Sequence, residues 1–446
     1  MAASADGSRT FHVGLLGFGT VGTGTARILL HTRPPLSERT GVDIRLHTIA
    51  DTDLDRPRAV DVSGVRLTHD AEAVAIDPEI DIVVEMIGGI EPARSYVLKA
   101  LRHGKAVVTA NKALLALHGR ELFMAARENN TSIGFEAAVC GGVPLIGAMR
   151  EGMVANRIES IRGILNGTSN YILTRMVEDG VSYEEALGEA QAKGFAEADP
   201  SMDVDGFDAA HKLTLLANLG FHTCIEFEHV HVEGIRGISS ADVRWAGELG
   251  YNVKLLGIAT ARYDDDSPPD GAASGGVELR VHPAMLPHDH PLANVREENN
   301  AVLVRGDATG DVLFYGKGAG MMPTASAIVA DIVGIARGSA LPNFEKLQFL
   351  SNSHVPIIPV DKTLCRWYVR FDVADQPGVL ARIAQTLAAH RVSIASFLQK
   401  EPQHHDSVPV VIVTHLTVAE DFLAAKLEIE EFPFLAGPGA ALRIED

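Results

Sequence analysis

The feature that most constrains this chain is a glycine-rich turn, G-F-G-T-V-G, at Gly17–Gly22. A short apolar run, Phe11–Leu16, comes directly before it, and a helical stretch, Val21–Leu30, begins inside it. In this setting the glycines permit a tight turn and the close approach of a pyrophosphate, which the helix N-terminus would stabilise. The spacing alone is weak evidence, because many glycine-rich turns match it by chance. A strand-to-helix turn that binds nothing therefore remains an alternative.

Strand-like and helix-like segments alternate after the glycine turn. Three have the pattern of strands and one that of a helix: strands Ile44–Ala50, Ile80–Ile87 and Ala106–Thr109, and helix Pro92–His103. Ile80–Ile87 is apolar on both faces, as a central parallel strand is. Pro34 and Pro35 are expected to stop the first helix. The series predicts a doubly wound α/β domain with a Rossmann-type parallel sheet over residues 1–135.

A different pattern begins after about residue 135. Longer amphipathic segments and β-rich stretches predict an α+β second domain: Tyr183–Ala192, Phe207–Leu219, Val277–Val281 and Ala301–Arg305. Asp264–Gly276, rich in Asp, Pro, Gly and Ser, is expected to be an exposed loop. Leu341–Thr363 contains three prolines and reads as a connector, with the linker proper at 343–364. Residues 365–446 then have the strand and helix order of a small third domain.

Composition excludes several classes of protein. The 446 residues include 46% hydrophobic and 22% charged ones, which are globular proportions. The formal net charge of −19, with no basic run to offset it, argues against nucleic acid or an anionic membrane as partner. Three widely spaced cysteines argue against a disulfide framework or a zinc cluster. No apolar stretch approaches the roughly 20 residues that span a bilayer, so a cytoplasmic protein is expected.

The end of the second predicted strand bears on cofactor choice. An acidic residue there bonds the ribose 2′-OH of NAD, whereas an arginine accommodates the 2′-phosphate of NADP. Asp51 and Asp53 favour NAD, but Arg56 and Arg58 could still reach a phosphate. The choice between the two cofactors therefore remains open.

Two lysines are candidates for chemistry. Asp208 and Lys212 are four residues apart on a predicted helix, so the carboxylate can hold the ammonium group, which could protonate an alkoxide. The alternative is an ordinary surface ion pair, worth a few tenths of a kcal/mol. Lys112 follows the fourth strand at the carboxyl edge of the sheet, where such folds bind ligands. A solvated lysine in a first helical turn is the alternative there.

Six segments together show a resemblance over essentially the whole chain: Gly17–Gly22, Val107–Ala116 (VVTANKALLA), Gly134–Pro144 (GFEAAVCGGVP), Gly163–Asn170 (GILNGTSN), Gly194–Lys212 (GFAEADPSMDVDGFDAAHK) and Tyr315–Ala327 (YGKGAGMMPTASA). In this order they resemble the homoserine dehydrogenase family. The third domain resembles an ACT domain, a βαββαβ module that binds amino acids, and Asp375–Gly378 matches its ligand loop. The family implies NAD- or NADP-dependent interconversion of L-aspartate 4-semialdehyde and L-homoserine, a step toward threonine, methionine and isoleucine.

The resemblance assigns roles residue by residue. Lys212 matches the proton donor, and Lys112 matches a second lysine near nicotinamide and substrate. Glu197 and Asp208 match the carboxylates that hold the substrate ammonium, and Asp203 matches a further acidic position. The matching cofactor-binding residues are Gly17, Phe18, Gly19, Thr20, Val21, Gly22, Asp51, Lys112, Gly194 and Gly318. Thr52 departs from the family, in which many members carry an arginine suited to NADP.

The family also implies features beyond the reaction. A monovalent cation, usually sodium, would be held at the matching positions Glu136, Val139, Gly141 and Val143, most of them through backbone carbonyls. Residues 136–320 would form the substrate, catalytic and dimerisation domain, and a helix over 321–342 would return to the dinucleotide domain. Threonine is the effector expected at the ACT domain, and a homodimer or homotetramer is the expected assembly.

Two other functions remain as alternatives to homoserine dehydrogenase activity. They are another amino-acid dehydrogenase and a non-catalytic amino-acid sensor.

Overall fold

The computed structural model describes residues 10–31, 33–263, 275–345, 347, 355–399 and 407–445. It contains one six-stranded and one 11-stranded β-sheet, both with helices packed against them. Residues 264–274 of the predicted loop lie outside the described residues, and Gly276, its last residue, begins a strand. Within the described ranges, no helix is both long and apolar enough to cross a bilayer.

The six-stranded sheet is parallel throughout and has the strand order β3-β2-β1-β4-β5-β6. Its elements are β1 Thr10–Leu16, α1 Thr20–His31, α2 Arg33–Thr40, β2 Asp43–Ala50, β3 Arg66–Thr68, α3 Ala71–Ile76, β4 Ile82–Glu85, α4 Ala93–Arg102, β5 Ala106–Thr109, α5 Lys112–Glu128 and β6 Ile133–Gly134. All four residues of β4 are buried, as expected for a central parallel strand. The strand order reverses between β1 and β4, and the glycine turn lies at that crevice.

The sequence prediction differs from this sheet in detail. The strand predicted at Ile80–Ile87 is only four residues long, because Ile80 is buried in the turn before it, against Gly14. The short strands β3 and β6 were not foreseen, since two or three residues carry no clear period. Pro34 and Pro35 end the first helix as expected, but they lie in the first turn of another helix, where proline is tolerated.

The second region follows β6 in the chain. It supplies five neighbouring strands of the larger sheet, in the order β12-β11-β7-β9-β10. Its elements are α6 Leu145–Gly147, β7 Ile158–Ile164, α7 Gly167–Asp179, α8 Tyr183–Ala192, α9 Ser201–Val204, α10 Phe207–Gly220, β8 His231–Val232, α11 Ser240–Glu248, β9 Tyr251–Arg262, β10 Gly276–Pro287, β11 Asn299–Gly306, β12 Gly310–Lys317, α12 Met321–Ala336 and α13 Ala340–Glu345. Helix α10 is buried from Asp208 to Gly220. Its polar side chains therefore lie inside the protein.

Helix α12 leaves this region and packs against α1 of the first sheet. Gly24 permits the contact, because a Cβ there would lie 2.8 Å from the carbonyl oxygen of Met321. Ile328 and Ile332 extend the apolar core under β1. The glycine turn and the second region are thus held together by a close helix–helix contact.

The C-terminal region has the fold that the sequence predicts for an ACT domain. Its elements are β13 Leu364–Ala374, α14 Val379–Ala389, β14 Ile394–Gln399, β15 Ser407–Thr414, β16 Thr417–Val418, α15 Ala419–Glu430 and β17 Ala440–Ile444. The sheet order β17-β13-β15-β14 continues directly from β10, because β17 pairs in parallel with β10 at Ala284 and Met285. One sheet therefore runs through both regions.

Buried ionic contacts reinforce this junction. The Asp242 carboxylate of α11, only 2% exposed, accepts hydrogen bonds from Tyr368 Oη at 2.9 Å and Arg370 Nε at 2.8 Å, both on β13. Arg443 of β17 is buried and donates at 2.8 Å to Glu233, whose carboxylate lies at the surface. Charges removed from water in this way are stable only while they stay paired.

We therefore predict that Asp242→Ala lowers the free energy of unfolding by about 3–5 kcal/mol. The change removes the buried acceptor of Tyr368 and Arg370, and leaves Arg370 only the more exposed carboxylate of Asp372. Asp311→Ala is the matched control, since Asp311 pairs with Arg305 at 2.7 Å but both side chains are largely exposed. That change should cost less than about 1 kcal/mol. Urea unfolding of the two variants measures the difference. An equal loss of unfolding free energy in both would contradict the stabilising role of the Asp242 contacts.

Candidate active site

The three glycines of the turn are required for different physical reasons. Gly17 has φ of +103°, and a Cβ there would lie 2.7 Å from the carbonyl oxygen of Met86. A Cβ at Gly22 would lie 2.3 Å from the carbonyl oxygen of Gly17. Gly19 is exposed, and a Cβ there would meet nothing within 4 Å. The open space lies over the first residues of α1, where free N–H groups favour an anion.

The remaining residues of the turn face in different directions. Phe18 is buried in the core under the sheet, whereas Thr20 is exposed and Val21 is partly buried. The Phe18 N–H donates to the carboxylate of Asp51, which also accepts from the N–H of Asp53 at 2.8 Å. Asp51 therefore lies directly beside the glycine turn, at the carboxyl end of β2.

Arg58 lies against the same two residues, Phe18 and Asp51. Its guanidinium stacks over the Phe18 ring at 4.4 Å and lies 3.6 Å from an Asp51 oxygen. Its Nε donates to the Phe18 carbonyl at 2.7 Å, and its Nη1 donates to that of Arg56 at 2.8 Å. The side chain is nearly buried, so its donors serve the protein backbone.

The central polar group of the site is the Asp208 carboxylate. Lys212 Nζ lies 2.8 Å from its Oδ2, and Lys112 Nζ lies 3.0 Å from its Oδ1. Lys212 also donates to the carbonyl oxygen of Leu165 at 2.7 Å. Asp208 and Lys212 are 5% and 8% exposed, whereas 37% of the Lys112 side chain is exposed. The alternative interpretation of Asp208 and Lys212 as a surface ion pair is therefore wrong, because both residues are buried.

Burial and charge oppose each other in this cluster. Burial raises the pKa of Asp208, but attraction to Lys212 and Lys112 outweighs it and holds that pKa well below its usual range. Burial likewise lowers the pKa of Lys212, and the Asp208 carboxylate more than reverses the effect. Lys212 is therefore a buried ammonium group at neutral pH, and Asp208 is ionised.

A second carboxylate lies next to this group through Asn166. The Asn166 amide donates to Asp203 Oδ1 at 2.7 Å and to Asp208 Oδ2 at 2.8 Å. Burial raises the pKa of Asp203, as does the negative charge of Asp208, while the bond from Asn166 lowers it. Asn166 and the Leu165 carbonyl were missed in the sequence as functional groups. The signal available was their place within the matched segment Gly163–Asn170.

Other predicted site residues lie apart from the cluster in this structure. Glu197 and Gly194 are exposed, and within the described residues the Glu197 carboxylate has no hydrogen bond or ion pair. Gly318 is buried after β12, where a Cβ would lie 2.2 Å from the side chain of Asn300. Asn300 Nδ2 in turn donates to the Leu165 carbonyl at 2.8 Å. Gly318 thus packs behind the same carbonyl that holds Lys212.

The predicted cation segment forms the crossover between the two regions. The Glu136 carboxylate accepts the N–H groups of Ile146 and Gly147, both at 2.8 Å, and so caps α6. Gly141 packs against the start of α12, because a Cβ there would lie 2.8 Å from Thr324 Oγ1. Val139 and Val143 are buried beside it. Among the described residues, no cluster of His, Cys, Asp and Glu could hold a metal ion.

The third predicted site lies in the C-terminal region. A cavity of about 340 Å³ is lined by the loop Asp375–Gly378 and by Gln399 of β14. Gly378 has φ of +93° and is the N-cap residue directly before α14. The loop thus presents the N-terminus of a helix to the cavity.

Three family profiles match the chain. The profile of the homoserine dehydrogenase NAD binding domain matches residues 17–136, that of homoserine dehydrogenase matches 144–333, and that of the ACT domain matches 367–434. Together they span all three regions of the fold.

Relatives and solved structures agree with these profiles. The homoserine dehydrogenase of Pseudomonas aeruginosa is 43% identical over 440 residues, covering 97% of this chain and 98% of that one. That of Synechocystis sp. is 43% identical over 442 residues, covering 98% and 99%. The crystal structure of a homoserine dehydrogenase from Thiobacillus denitrificans has a TM-score of 0.91 at 44% identity, covering 98% and 99%. A hyperthermophilic archaeal homoserine dehydrogenase in complex with NADPH has a TM-score of 0.58 at 27% identity, covering 73% and 97%.

The glycine geometry leads to a prediction that separates binding from folding. Gly19→Val should leave the melting temperature close to that of the wild type, because its side chain enters open space. It should weaken NADH binding about tenfold or more, equivalent to at least ~1.4 kcal/mol. Gly22→Val should instead destabilise the fold by about 1–3 kcal/mol or more through its clash with Gly17. Fluorescence titration with NADH and thermal melting measure the two effects, and wild-type NADH affinity in the Gly19 variant would contradict the assignment.

Proposed function

The chain belongs to the homoserine dehydrogenase family, NAD(P)-dependent enzymes that interconvert L-aspartate 4-semialdehyde and L-homoserine, and we propose that Lys212 is its proton donor. The observation that carries this proposal is the pair of hydrogen bonds from Lys212 Nζ to Leu165 and Asp208. An ammonium group has three N–H donors, so one remains to bond the aldehyde oxygen. Bound NAD(P)H supplies the hydride.

The environment suits Lys212 to this role. Because the group is buried, its charge acts in a medium of low dielectric, where it stabilises a developing alkoxide strongly. Because Asp208 keeps it protonated, a proton is available for reduction. In the oxidative direction the same nitrogen, once deprotonated, accepts the proton of the homoserine hydroxyl. Lys212 thus serves as general acid or general base according to direction.

We assign the amino group of the substrate to the carboxylates around Lys212. Asp208 would take part through the oxygen that faces Lys112, and the partly exposed Lys112 side chain would move aside. Asp203 lies on the other side of Asn166, and its elevated pKa would fall beside a substrate ammonium. Glu197 would complete the set if its exposed segment, which includes Gly194, closes over the substrate. Lys112, at the carboxyl edge of the sheet, would then lie between the cofactor and the substrate.

We infer a preference for NAD over NADP from the corner beside the glycine turn. The Asp51 carboxylate lies at the end of β2, where it would accept the ribose 2′-OH and repel a 2′-phosphate. Arg58 is close, but its donors are taken by backbone carbonyls. The Asp51 carboxylate is therefore the group left to accept a hydrogen bond from the adenosine ribose, with the Arg58 guanidinium 3.6 Å away from it.

A monovalent cation fits the crossover only through backbone oxygens. The Glu136 carboxylate already accepts two N–H groups, so Glu136 would contribute its carbonyl and not its side chain. The carbonyls of Val139, Gly141 and Val143 would complete the site, and neutral oxygens suit sodium. The ion would fix the crossover that joins the two halves of the active site.

We propose that an amino acid binds the ACT cavity and regulates the enzyme, and we take L-threonine as this effector from the family resemblance. The cavity at Asp375–Gly378 lies at one end of β13, and the same strand holds Asp242 of α11 through Tyr368 and Arg370. Helix α11 packs against α7, which begins beside Asn166. A ligand that shifts β13 would therefore act on the substrate site through packed elements.

The second region is also our proposed site of self-association. Leu313 and Tyr315 lie on one face of the edge strand β12, and they are 43% and 57% exposed. An exposed apolar face of this kind is typical of an interface, here a homodimer or homotetramer. Among the described residues Cys140, Cys224 and Cys365 form no disulfide, which supports our proposal of a reducing, cytoplasmic location.

Replacing the proposed proton donor provides the first test. Lys212→Ala should reduce kcat for semialdehyde reduction about 100- to 10,000-fold, the usual contribution of general acid catalysis, with the fold intact. Lys254→Met is the matched control, because Lys254 is also a buried lysine but lies on β9, bonded to Val295. The control should keep most of its kcat. Near-normal turnover in the Lys212 variant would refute the assignment.

A steady-state assay tests the cofactor and effector proposals together. We expect L-homoserine to be oxidised with a higher kcat/KM for NAD than for NADP, and Asp51→Ser to narrow the difference. L-Threonine should lower the rate, whereas Asp375→Ala in the ACT loop should restore it. Higher kcat/KM with NADP would refute the role of Asp51, and a rate insensitive to threonine would refute the choice of effector.

A further inference from the structure

Asn166 occupies an unusual position between the two acidic residues of the site. It ends the connection from β7 to α7 and is only 4% exposed. Its nitrogen donates to Asp203 at 2.7 Å and to Asp208 at 2.8 Å, and its Oδ1 accepts the Ser169 N–H at 2.8 Å. Both N–H donors are thus given to carboxylates, and the oxygen caps a helix.

The orientation of this amide is determined by its partners. The reverse orientation would place the amide oxygen against two carboxylate oxygens and the amide nitrogen against a backbone N–H. The backbone of Asn166 is extended, with φ of −122° and ψ of 115°, as is usual for an N-cap residue. The start of α7 therefore sets the direction in which the two donors point.

The two carboxylates need such a donor because they are close in a buried site. The negative charge of Asp208 raises the pKa of Asp203 beyond the effect of burial. Asp208 has two lysines as counterions, whereas the pKa of Asp203 is lowered first by the hydrogen bond from Asn166, and after that by attraction to Lys212 and a hydrogen bond with Thr168. A neutral group that donates to both reduces their repulsion without adding charge.

The same bond orients Asp208 toward both lysines. Oδ2 of Asp208 takes the bonds from Asn166 and Lys212, which leaves Oδ1 for Lys112. Without Asn166, the carboxylate could rotate about its χ2 bond and exchange its partners. The direction of the Lys212 N–H groups would then no longer be constant.

We propose that Asn166 is a positioning residue of this enzyme, which holds Asp208 against Lys212 and keeps Asp203 in place for the amino group of the substrate. This proposal rests on the assignment of Lys212 as proton donor and adds a residue that acts through its neighbours. It predicts that Asn166 affects both the hydroxyl end and the amino end of homoserine, but not the cofactor.

The titratable groups that face this cluster come from several elements. They are Asp203 of α9, Asp208, His211 and Lys212 of α10, Lys112 of α5 and Cys140 of the crossover. Burial lowers the pKa of His211 and raises that of Cys140, so both are neutral near pH 7. The two lysines and the two carboxylates therefore carry the charge of the site.

Two substitutions at this position test the proposal. Asn166→Ser keeps an oxygen that can cap α7 but cannot bridge the carboxylates. We expect kcat/KM for homoserine to fall about 10- to 100-fold, which corresponds to hydrogen bonds to charged groups. A lower kcat and a higher KM should both contribute, while the dissociation constant of NADH stays unchanged. Ser182→Ala is the control, because it removes the N-cap of α8 by losing the bond to the Glu185 N–H and touches no site residue.

The second substitution, Asn166→Asp, retains the cap and places a third carboxylate beside the other two. Like charges raise one another's pKa, so the cluster should keep a proton to higher pH. The low-pH limb of the kcat/KM profile should therefore move to higher pH than in the wild type. A merely structural role would lower the melting temperature without moving this limb.

The outcomes distinguish this proposal from the one on which it rests. Wild-type kcat/KM in Asn166→Ser, or an unmoved pH profile in Asn166→Asp, would overturn the role of Asn166 while leaving that of Lys212 intact. The same holds if Asn166→Ser weakens NADH binding as much as homoserine binding. Full activity in Lys212→Ala would instead overturn the proton-donor assignment itself.

Discussion

The contact of the Asp208 carboxylate with Lys212 and Lys112 is the interaction on which the candidate active site depends. Lys212 lies on α10 together with Asp208, whereas Lys112 is the first residue of α5 in the first region. The three residues therefore join two regions of the chain. A buried carboxylate is tolerated only when its charge is compensated. The ion group therefore ties the chemistry of the site to the relative placement of the two regions.

Close backbone approach maintains that placement. Helix α12 lies against α1 at Gly24, and the crossover lies against the start of α12 at Gly141. Larger side chains at these positions would separate the regions and, with them, Lys112 from Asp208. Glycine is needed here for space and, at Gly17, also for its positive φ.

The ACT domain is joined to the second region by a shared sheet and by buried side-chain contacts. A tethered module would be free to move, but β17 pairs with β10 and continues the sheet of the second region. The buried contact of Asp242 with Arg370 adds a second connection. Since α11 bears Asp242 and packs on α7, contacts between packed elements run from the ACT cavity to Asn166.

The sequence by itself determined the glycine turn, the alternating strands and helices, the i,i+4 spacing of Asp208 and Lys212, and the order of elements in the ACT domain. These follow from local geometry, because a helix brings residues four apart together and a parallel strand is apolar on both faces. Motif resemblance added the family and the reaction. Only the tertiary structure decided that the Asp208–Lys212 pair is buried, that Lys112 meets it, and that Asn166 lies between two carboxylates. The strength of an ion pair depends on the dielectric around it, and burial is set by contacts between residues far apart in the chain. The joined sheet and the exposed position of Glu197 were likewise beyond the sequence, because no local period records which edge strand pairs with which or how far a loop lies from its site.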